Sequence, residues 1–278
     1  MTDPVAQPGP DLDRHYKFSE ILPDFAAWLD RMAFDSKGIA DTIPLQRHPY
    51  GPDPRQWGET GPGSGRGDLL PVFVHGGYWR ALRAEDHRFV LPALGGLGGQ
   101  VANLEYRLMP ATRMEGLVAD ISAGLRLIIQ MEPAARIVPV GHSAGAHLIL
   151  RALAHPDIAA RVAGAVCISG VFDLHPIARS FLQADLGLSA EEIAAHSIPS
   201  APPVPVLFLA GAEETAAFRE GAQQMAGSAP LARSALVSEA HHMNILHRTL
   251  TGPAPLIPDI CHWLTTGQMP DIVKGPPP

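Results

Sequence analysis

Two short segments of the chain hold residues that can do chemistry. Gly141-His142-Ser143-Ala144-Gly145 fits Gly-x-Ser-x-Gly, the sharp strand-to-helix turn that lifts a serine hydroxyl above a parallel sheet. The flanks agree with that reading. Ile137 to Val140 is a short apolar run of strand type, and Ala144 to Leu153 has helix-forming composition with apolar residues at helical spacing. Glycines at 141 and 145 let strand and helix pass close to a serine held in strained backbone geometry. The second segment, His75-Gly76-Gly77-Tyr78-Trp79, ends the buried-strand pattern of Leu69 to Val74. Glycines at the carboxyl end of a strand allow backbone N–H groups to point into the space above the sheet, as an oxyanion hole requires. Spacing assigns the donors to Gly77 and Tyr78, with Ala144, the residue after the nucleophile, as the third. Gly76 makes the turn or trades roles with its neighbour. The chemistry implied is attack of an activated hydroxyl on a carbonyl.

A serine hydroxyl needs a base, and on such a sheet the chain order is serine, acid, histidine. The loop Glu239-Ala240-His241-His242-Met243-Asn244 follows the strand-like Ala235-Leu236-Val237 and precedes an apolar helical start. His242 is favoured over His241 because it abuts the apolar run that would anchor the loop. His147 lies one turn beyond the serine and is expected to pack or face solvent, and His262 is expected to pack beside Trp263. The acid follows Val204 to Ala210, where Gly211-Ala212-Glu213-Glu214 offers two glutamates. Glu214 leaves room for one helix and one strand before His242, and its extra methylene must be absorbed by the loop. Asp173 and Glu213 stay open as alternatives. Adjacent histidines without a Cys or carboxylate cluster make a poor metal site, so neither metal nor cofactor is expected.

The elements that must position these groups alternate between strand and helix from Leu69 onward. Strands are predicted at Pro71 to Val74, Gln100 to Leu104, Ile137 to Val140, Ala163 to Ile168 and Val204 to Ala210. Helices are predicted at Glu85 to Leu94, Met114 to Gln130, Ala144 to Ala154, Ala216 to Met225 and Pro255 to Thr266. The alternation predicts an α/β chain with a mostly parallel central sheet and helices on both faces, and a site beyond the carboxyl ends of the strands. Residues 16–37 suggest one or two short helices broken near Pro23, and residues 48–68 a turn-rich stretch that can hold a hairpin. Together they are expected to form a cap before the sheet proper.

A chain of 278 residues suits one large domain (1–278), with a helical, proline-rich segment over 1–47 and a loose tail over 268–278. The formal charge of −7, without a basic block, argues against nucleic acid or an anionic membrane as partner. A small-molecule acyl substrate and water are the expected partners, with a homodimer left open. Cys167 and Cys261 are expected to be free thiols. The N-terminus lacks a secretory pattern and no apolar run is long enough to span a bilayer, so a cytoplasmic location is expected.

Several blocks together resemble the kynurenine formamidase (arylformamidase) branch of the α/β-hydrolase fold. They are His75-Gly76-Gly77-Tyr78-Trp79-Arg80, Tyr106-Arg107-Leu108-Met109-Pro110, Gly141 to Leu148, Ser169 to Leu174, Glu213-Glu214-Thr215 with Phe218, and His242. The resemblance implies cleavage of the formamide of N-formylkynurenine by a metal-free Ser, acid, His triad, carried here by Ser143, Glu214 and His242. A glutamate stands where that branch has aspartate. General esterases share the same motifs, so a carboxylesterase acting on small-acyl esters is the alternative. For an aryl formamide, Tyr78 and Trp79 are candidate walls for the aryl group, with Trp79 as core packing behind the oxyanion turn the alternative. The sequence leaves open whether Arg80, Arg107 or another group would hold a substrate carboxylate.

Overall fold

The computed structural model describes residues 10–253 and 255–268. At its centre lies one sheet of eight strands: β1 (Gln46–Pro49), β2 (Trp57–Pro62), β3 (Leu69–Val74), β4 (Gln100–Leu104), β5 (Arg136–His142), β6 (Ala165–Ile168), β7 (Val206–Gly211) and β8 (Ala232–Val237). Their order is β1-β2-β4-β3-β5-β6-β7-β8. β3 through β8 run parallel to one another, whereas β2 pairs antiparallel with β4 and β1 with β2. This is the α/β-hydrolase arrangement that the motifs predict.

The central strands are apolar throughout because both faces are covered. Every residue of β3 and β7 is buried. Alternate side chains go to opposite faces. Leu70, Val72 and Val74 join one core cluster with Phe208 and Ala210, while Leu69, Phe73, Leu207 and Leu209 join the other. On the first face packs the long helix Met114–Met131, whose Met114, Leu117, Val118, Ile121, Leu125 and Ile128 repeat at helical spacing. On the second face, Met32 of the helix Phe25–Ser36 and Ile260 and Trp263 of the helix Ile257–Thr266 close the core.

Some expectations shift. The stretch 48–68 does not belong to a cap, because β1 and β2 form an antiparallel hairpin that extends the sheet. The helix predicted over Glu85 to Leu94 is a 3-10 segment, Ala84–Val90, followed by one α turn, Leu91–Leu94. The last strand begins at Ala232, three residues earlier than the apolar run suggests, since Arg233 and Ser234 are exposed. Residues 16–37 form short helices, Phe18–Ile21 and Phe25–Ser36, interrupted around Pro23 as predicted. Positions 1–9 of the N-terminal segment and 269–278 of the tail lie outside the described residues. Among the described residues no helix is long and apolar enough to cross a membrane. Both cysteines are free, Cys167 buried and Cys261 partly exposed.

A buried carboxylate ties the end of β4 to the turn after β3. Glu105 is 1% exposed. It accepts hydrogen bonds from Arg55 Nη2 (2.6 Å) and the backbone N–H groups of Ala84 (2.8 Å) and Tyr106 (3.1 Å). His75 Nε2 lies 3.4 Å from it. Tyr106 in turn stacks on the His75 ring at 4.3 Å and donates from its hydroxyl to the His75 carbonyl (2.9 Å). Burial pushes the Glu105 carboxyl up, but the His75 ring, the Ala84 N–H and Arg55 reverse that and hold it at about 2.

Removing this partner leaves Arg55 and two backbone amides without their acceptor. Glu105→Ala is therefore expected to lower stability by about 3 kcal/mol or more in urea unfolding at neutral pH. Because the folded carboxyl titrates below its unfolded value of about 4.3, the stability it contributes is present above that value. It is lost as the pH falls toward 2. Between about pH 5 and 3 the Glu105→Gln variant should lose less stability than the parent chain; equal slopes would show that the carboxylate is not what the network holds.

Candidate active site

The nucleophile turn is built by close packing. Ser143 sits between β5 and the helix Ala144–Ala152 with φ 53° and ψ −118°, a conformation that costs a non-glycine residue on the order of 1 to 3 kcal/mol. Its surroundings fix that geometry. The Ser143 N–H donates to the Ile168 carbonyl of β6 at 2.8 Å. A Cβ on Gly145 would stand 2.1 Å from the Val74 carbonyl, and one on Gly141 would stand 2.5 Å from the Ala146 nitrogen. The helix thus starts in contact with the end of β3.

β3 and β5 are neighbours, with Val74 opposite Gly141, and the chain leaves β3 toward β4 on one side before returning to β5 on the other. The His75-Gly76-Gly77 turn and Ser143 therefore meet at the reversal point of the sheet, where crevices form in open α/β folds. Gly76 abuts the serine: its Cβ would lie 3.0 Å from that of Ser143. Gly77 (φ 105°), Tyr78 (φ 51°) and Trp79 (φ 59°) follow with positive φ. Among the described residues, no hydrogen bond uses the N–H of Gly77, Tyr78 or Ala144. The three amides expected to hold an oxyanion are thus unengaged.

The structure brings Ser143, His242 and Glu214 together. His242 Nε2 lies 3.1 Å from Ser143 Oγ, and His242 Nδ1 lies 2.7 Å from Glu214 Oε1. The second Glu214 oxygen accepts from the Gly211 N–H at 3.0 Å. The glutamate's longer side chain is accommodated by curling over Gly211, where a Cβ would sit 3.2 Å from Glu214 Cγ. All three groups are buried. The histidine loop is braced by Asn244, whose Oδ1 accepts from the His241 N–H (2.8 Å) and whose Nδ2 donates to the Glu239 carbonyl (3.3 Å). Sequence reasoning passed over Asn244, although a capping-type residue three positions after His241 is a readable signal.

The other candidates go elsewhere. Asp173 pairs with His175 at 2.7 Å on the surface, and Glu213 contributes its N–H to the Ala240 carbonyl (2.9 Å). His241 faces the edge of Trp28 at 5.7 Å. His147 is buried with Nε2 2.8 Å from the His196 carbonyl, and His262 is exposed instead of packed. Trp79 is wholly buried against His147. His142 stands beside His242, ring centroids 5.0 Å apart. Burial, and then the neighbouring His242 and His87, hold its pKa well below the usual histidine value. His142 is therefore neutral beside His242.

Ser143 and His242 open onto a cavity of about 150 Å³. A larger one of about 670 Å³ lies behind Tyr16 and Phe218 and contains neither residue. The smaller cavity owes much of its wall to the N-terminal segment. Phe18 stacks on the His242 ring at 4.1 Å, and Phe25, Leu29 and Met32 continue that wall. Tyr78 joins the wall and donates from its hydroxyl to the Tyr16 carbonyl (2.8 Å). Phe18 has no local signature in the sequence, because its role depends on a contact with a loop at the opposite end of the chain.

Comparison with known proteins agrees with this architecture. A family model for the alpha/beta hydrolase fold matches residues 71–201. A kynurenine formamidase of Danio rerio is 30% identical over 136 residues, 47% of this chain and 46% of that protein. One of Drosophila melanogaster is 31% identical over 116 residues, 39% of each. The chain spans about half the length of the curated relatives it matches. Among solved structures, a Silicibacter protein provisionally called a thioesterase superposes with TM-score 0.82 and 25% identity, covering 93% of this chain and all of its own. A hormone-sensitive lipase from a metagenome library gives TM-score 0.66 and 20% identity, covering 85% and 92%. The chain has the α/β-hydrolase fold, and its resemblance to the kynurenine formamidase branch recurs in these comparisons.

The packing of the serine turn can be tested with a pair of glycines. Gly145→Ala must push backbone apart and is expected to cost about 2 kcal/mol or more, with turnover falling as the serine shifts. Gly221→Ala, in the helix Ala216–Gly227 with its nearest atom 3.9 Å away, should instead stabilise by about 0.5 to 1 kcal/mol. Thermal unfolding of the two variants checks the contrast, and equal shifts would contradict it.

Proposed function

We propose that this α/β hydrolase, acting as a single domain, is a serine hydrolase that removes a small acyl group, with the formamide of N-formylkynurenine or a related aryl formamide as substrate. The observation that carries the reading is the continuous contact from Ser143 Oγ through His242 to Glu214, beside three unused amides. Its substrate half draws on the kynurenine formamidases matched over part of their length.

In this mechanism the His242 Nδ1–H donates to Glu214, which leaves Nε2 free to accept the Ser143 proton. Ser143 Oγ attacks the carbonyl carbon, and the developing oxyanion takes hydrogen bonds from the N–H groups of Gly77, Tyr78 and Ala144. Each well-aimed donor of this kind contributes about 3 kcal/mol to lowering the barrier. His242 then passes its proton to the departing amine. Water, deprotonated by the same ring, attacks the acyl-serine and releases the acid. Glu214 keeps the ring oriented and stabilises the imidazolium. The small cavity at Ser143 suits a short acyl group.

Esters of the same acyl groups meet the same atoms, so a carboxylesterase activity is the second reading. The fold neighbours favour it, and the Silicibacter protein adds short-acyl thioesters to the classes worth assaying.

Ser143→Ala is expected to lower turnover by about four to six orders of magnitude; near-normal hydrolysis by that variant would overturn the nucleophile. Glu214→Gln should cost far more activity than Asp173→Asn, and the reverse ranking would move the acid. Comparing kcat/KM on N-formylkynurenine and short-chain p-nitrophenyl esters decides the substrate. A formamide preference of about a hundredfold corresponds to 2.7 kcal/mol of differential transition-state binding; ester cleavage alone would leave the second reading.

A further inference from the structure

Within the wall of the cavity at Ser143, one residue carries a permanent positive charge, Arg80. Most of its neighbours there are apolar or aromatic: Phe18, Phe25, Leu29, Leu82 and Met243. His87 and His142 in the same wall do not substitute for it. Burial, and then the neighbouring His75, push His87 down to about 3, and burial holds His142 well below the usual value. A guanidinium beside such a surface is costly to leave without an anionic partner. Arg80 is only partly supplied. Its Nη1 lies 2.7 Å from Asp185 Oδ2, but that pair is 32% and 52% exposed, which makes it a weak bond. The buried Arg80 Nε has no hydrogen-bond partner among the described residues.

We propose that Arg80 is the specificity-determining residue of this site and binds a carboxylate carried by the substrate, a reading that rests on the hydrolase function proposed above. Arg80 stands on the oxyanion turn itself, with its N–H donating to the Gly77 carbonyl at 3.1 Å. A carboxylate held there is in fixed register with the amides of Gly77 and Tyr78, and binding it aligns the scissile carbonyl with them. The planar fork of a guanidinium matches the two oxygens of a carboxylate. For a one-carbon acyl group, the carboxylate belongs to the part of the molecule that leaves with the amine.

The other arginine in the neighbouring motif is committed elsewhere. Arg107 grips the buried Asp120 with two side-chain hydrogen bonds, Nε at 2.9 Å and Nη2 at 2.7 Å, and does not line the cavity. Asp185 is also outside the lining. It acts as a resting partner that competes with the substrate carboxylate for Arg80.

The test uses an aryl formamide bearing a side-chain carboxylate and its carboxamide analogue. The parent chain should favour the carboxylate by tenfold or more in kcat/KM, mainly through KM. Arg80→Gln should abolish that preference, and Arg80→Lys should restore only part of it. Asp185→Asn should raise it, because the competitor is gone; a residue that merely braces the turn would lose from both changes alike. Equal losses on both analogues, or no preference in the parent chain, would overturn the proposal. Calorimetric binding of the carboxylate formamide to Ser143→Ala, with and without Arg80→Gln, separates the two readings. Arg80-dependent binding without turnover in the parent would sink the hydrolase function and spare the subsite, whereas Ser143-dependent turnover with Arg80-independent binding would do the opposite.

Discussion

The close approach of two backbones at Gly145 is the constraint on which the rest of the site depends. With the start of the serine helix in contact with the end of β3, the serine has one way to bridge strand and helix, and that way is the strained positive-φ turn. The same contact brings the glycine turn after β3 against the serine. Ser143 and the amides proposed as oxyanion donors are therefore one packed unit, held by side-chain absence instead of by side-chain bonds. Their alignment costs no reorganisation when charge develops, which is the condition for such donors to be effective.

Around that unit the acidic groups divide their tasks by surroundings. Glu105 is buried beneath the oxyanion turn with an arginine and backbone amides around it, and it organises a segment rich in positive φ. Glu214 is equally enclosed, yet its contacts are an imidazole and one amide. The first carboxylate works as a structural anchor, whereas the second is the group proposed to orient the His242 ring. Two buried glutamates thus differ in their partners: Glu105 is held by Arg55, the His75 ring and two backbone amides, Glu214 by one imidazole and one amide.

Much of this was legible in the chain. The parallel strands announce themselves as short apolar runs because helices cover both faces, and the two glycine motifs name their own positions at the strand ends. Chain order and the apolar run after the histidine loop single out His242, while the acid stays open among Glu214, Glu213 and Asp173 until the fold places Glu214 beside His242. What escaped were features set by contacts between distant segments. The stretch 48–68 reads as turn-rich with room for a hairpin, but nothing local shows that the hairpin of β1 and β2 extends the sheet, with Glu59 buried against Arg88. The 3-10 segment at Ala84–Val90 has helical spacing too short to reveal its tighter winding. Phe18 reads as an ordinary aromatic, and only the folded chain shows it lying on the catalytic ring.

The N-terminal segment docks through partners far along the chain. Asp13 accepts from the N–H of Phe181 (2.7 Å), the His15 carbonyl accepts from Thr215 Oγ1 (3.1 Å), and Phe18 covers His242. During synthesis this stretch emerges before β7 and the histidine loop, so the surfaces it settles on exist only after those later segments have followed it. Contacts of such sequence separation close late, since the loop entropy must be overcome before they form. The cavity at Ser143 is therefore shaped late, and a chain that has not yet extended past β8 holds Ser143 without His242 beside it or Phe18 fixed over that ring.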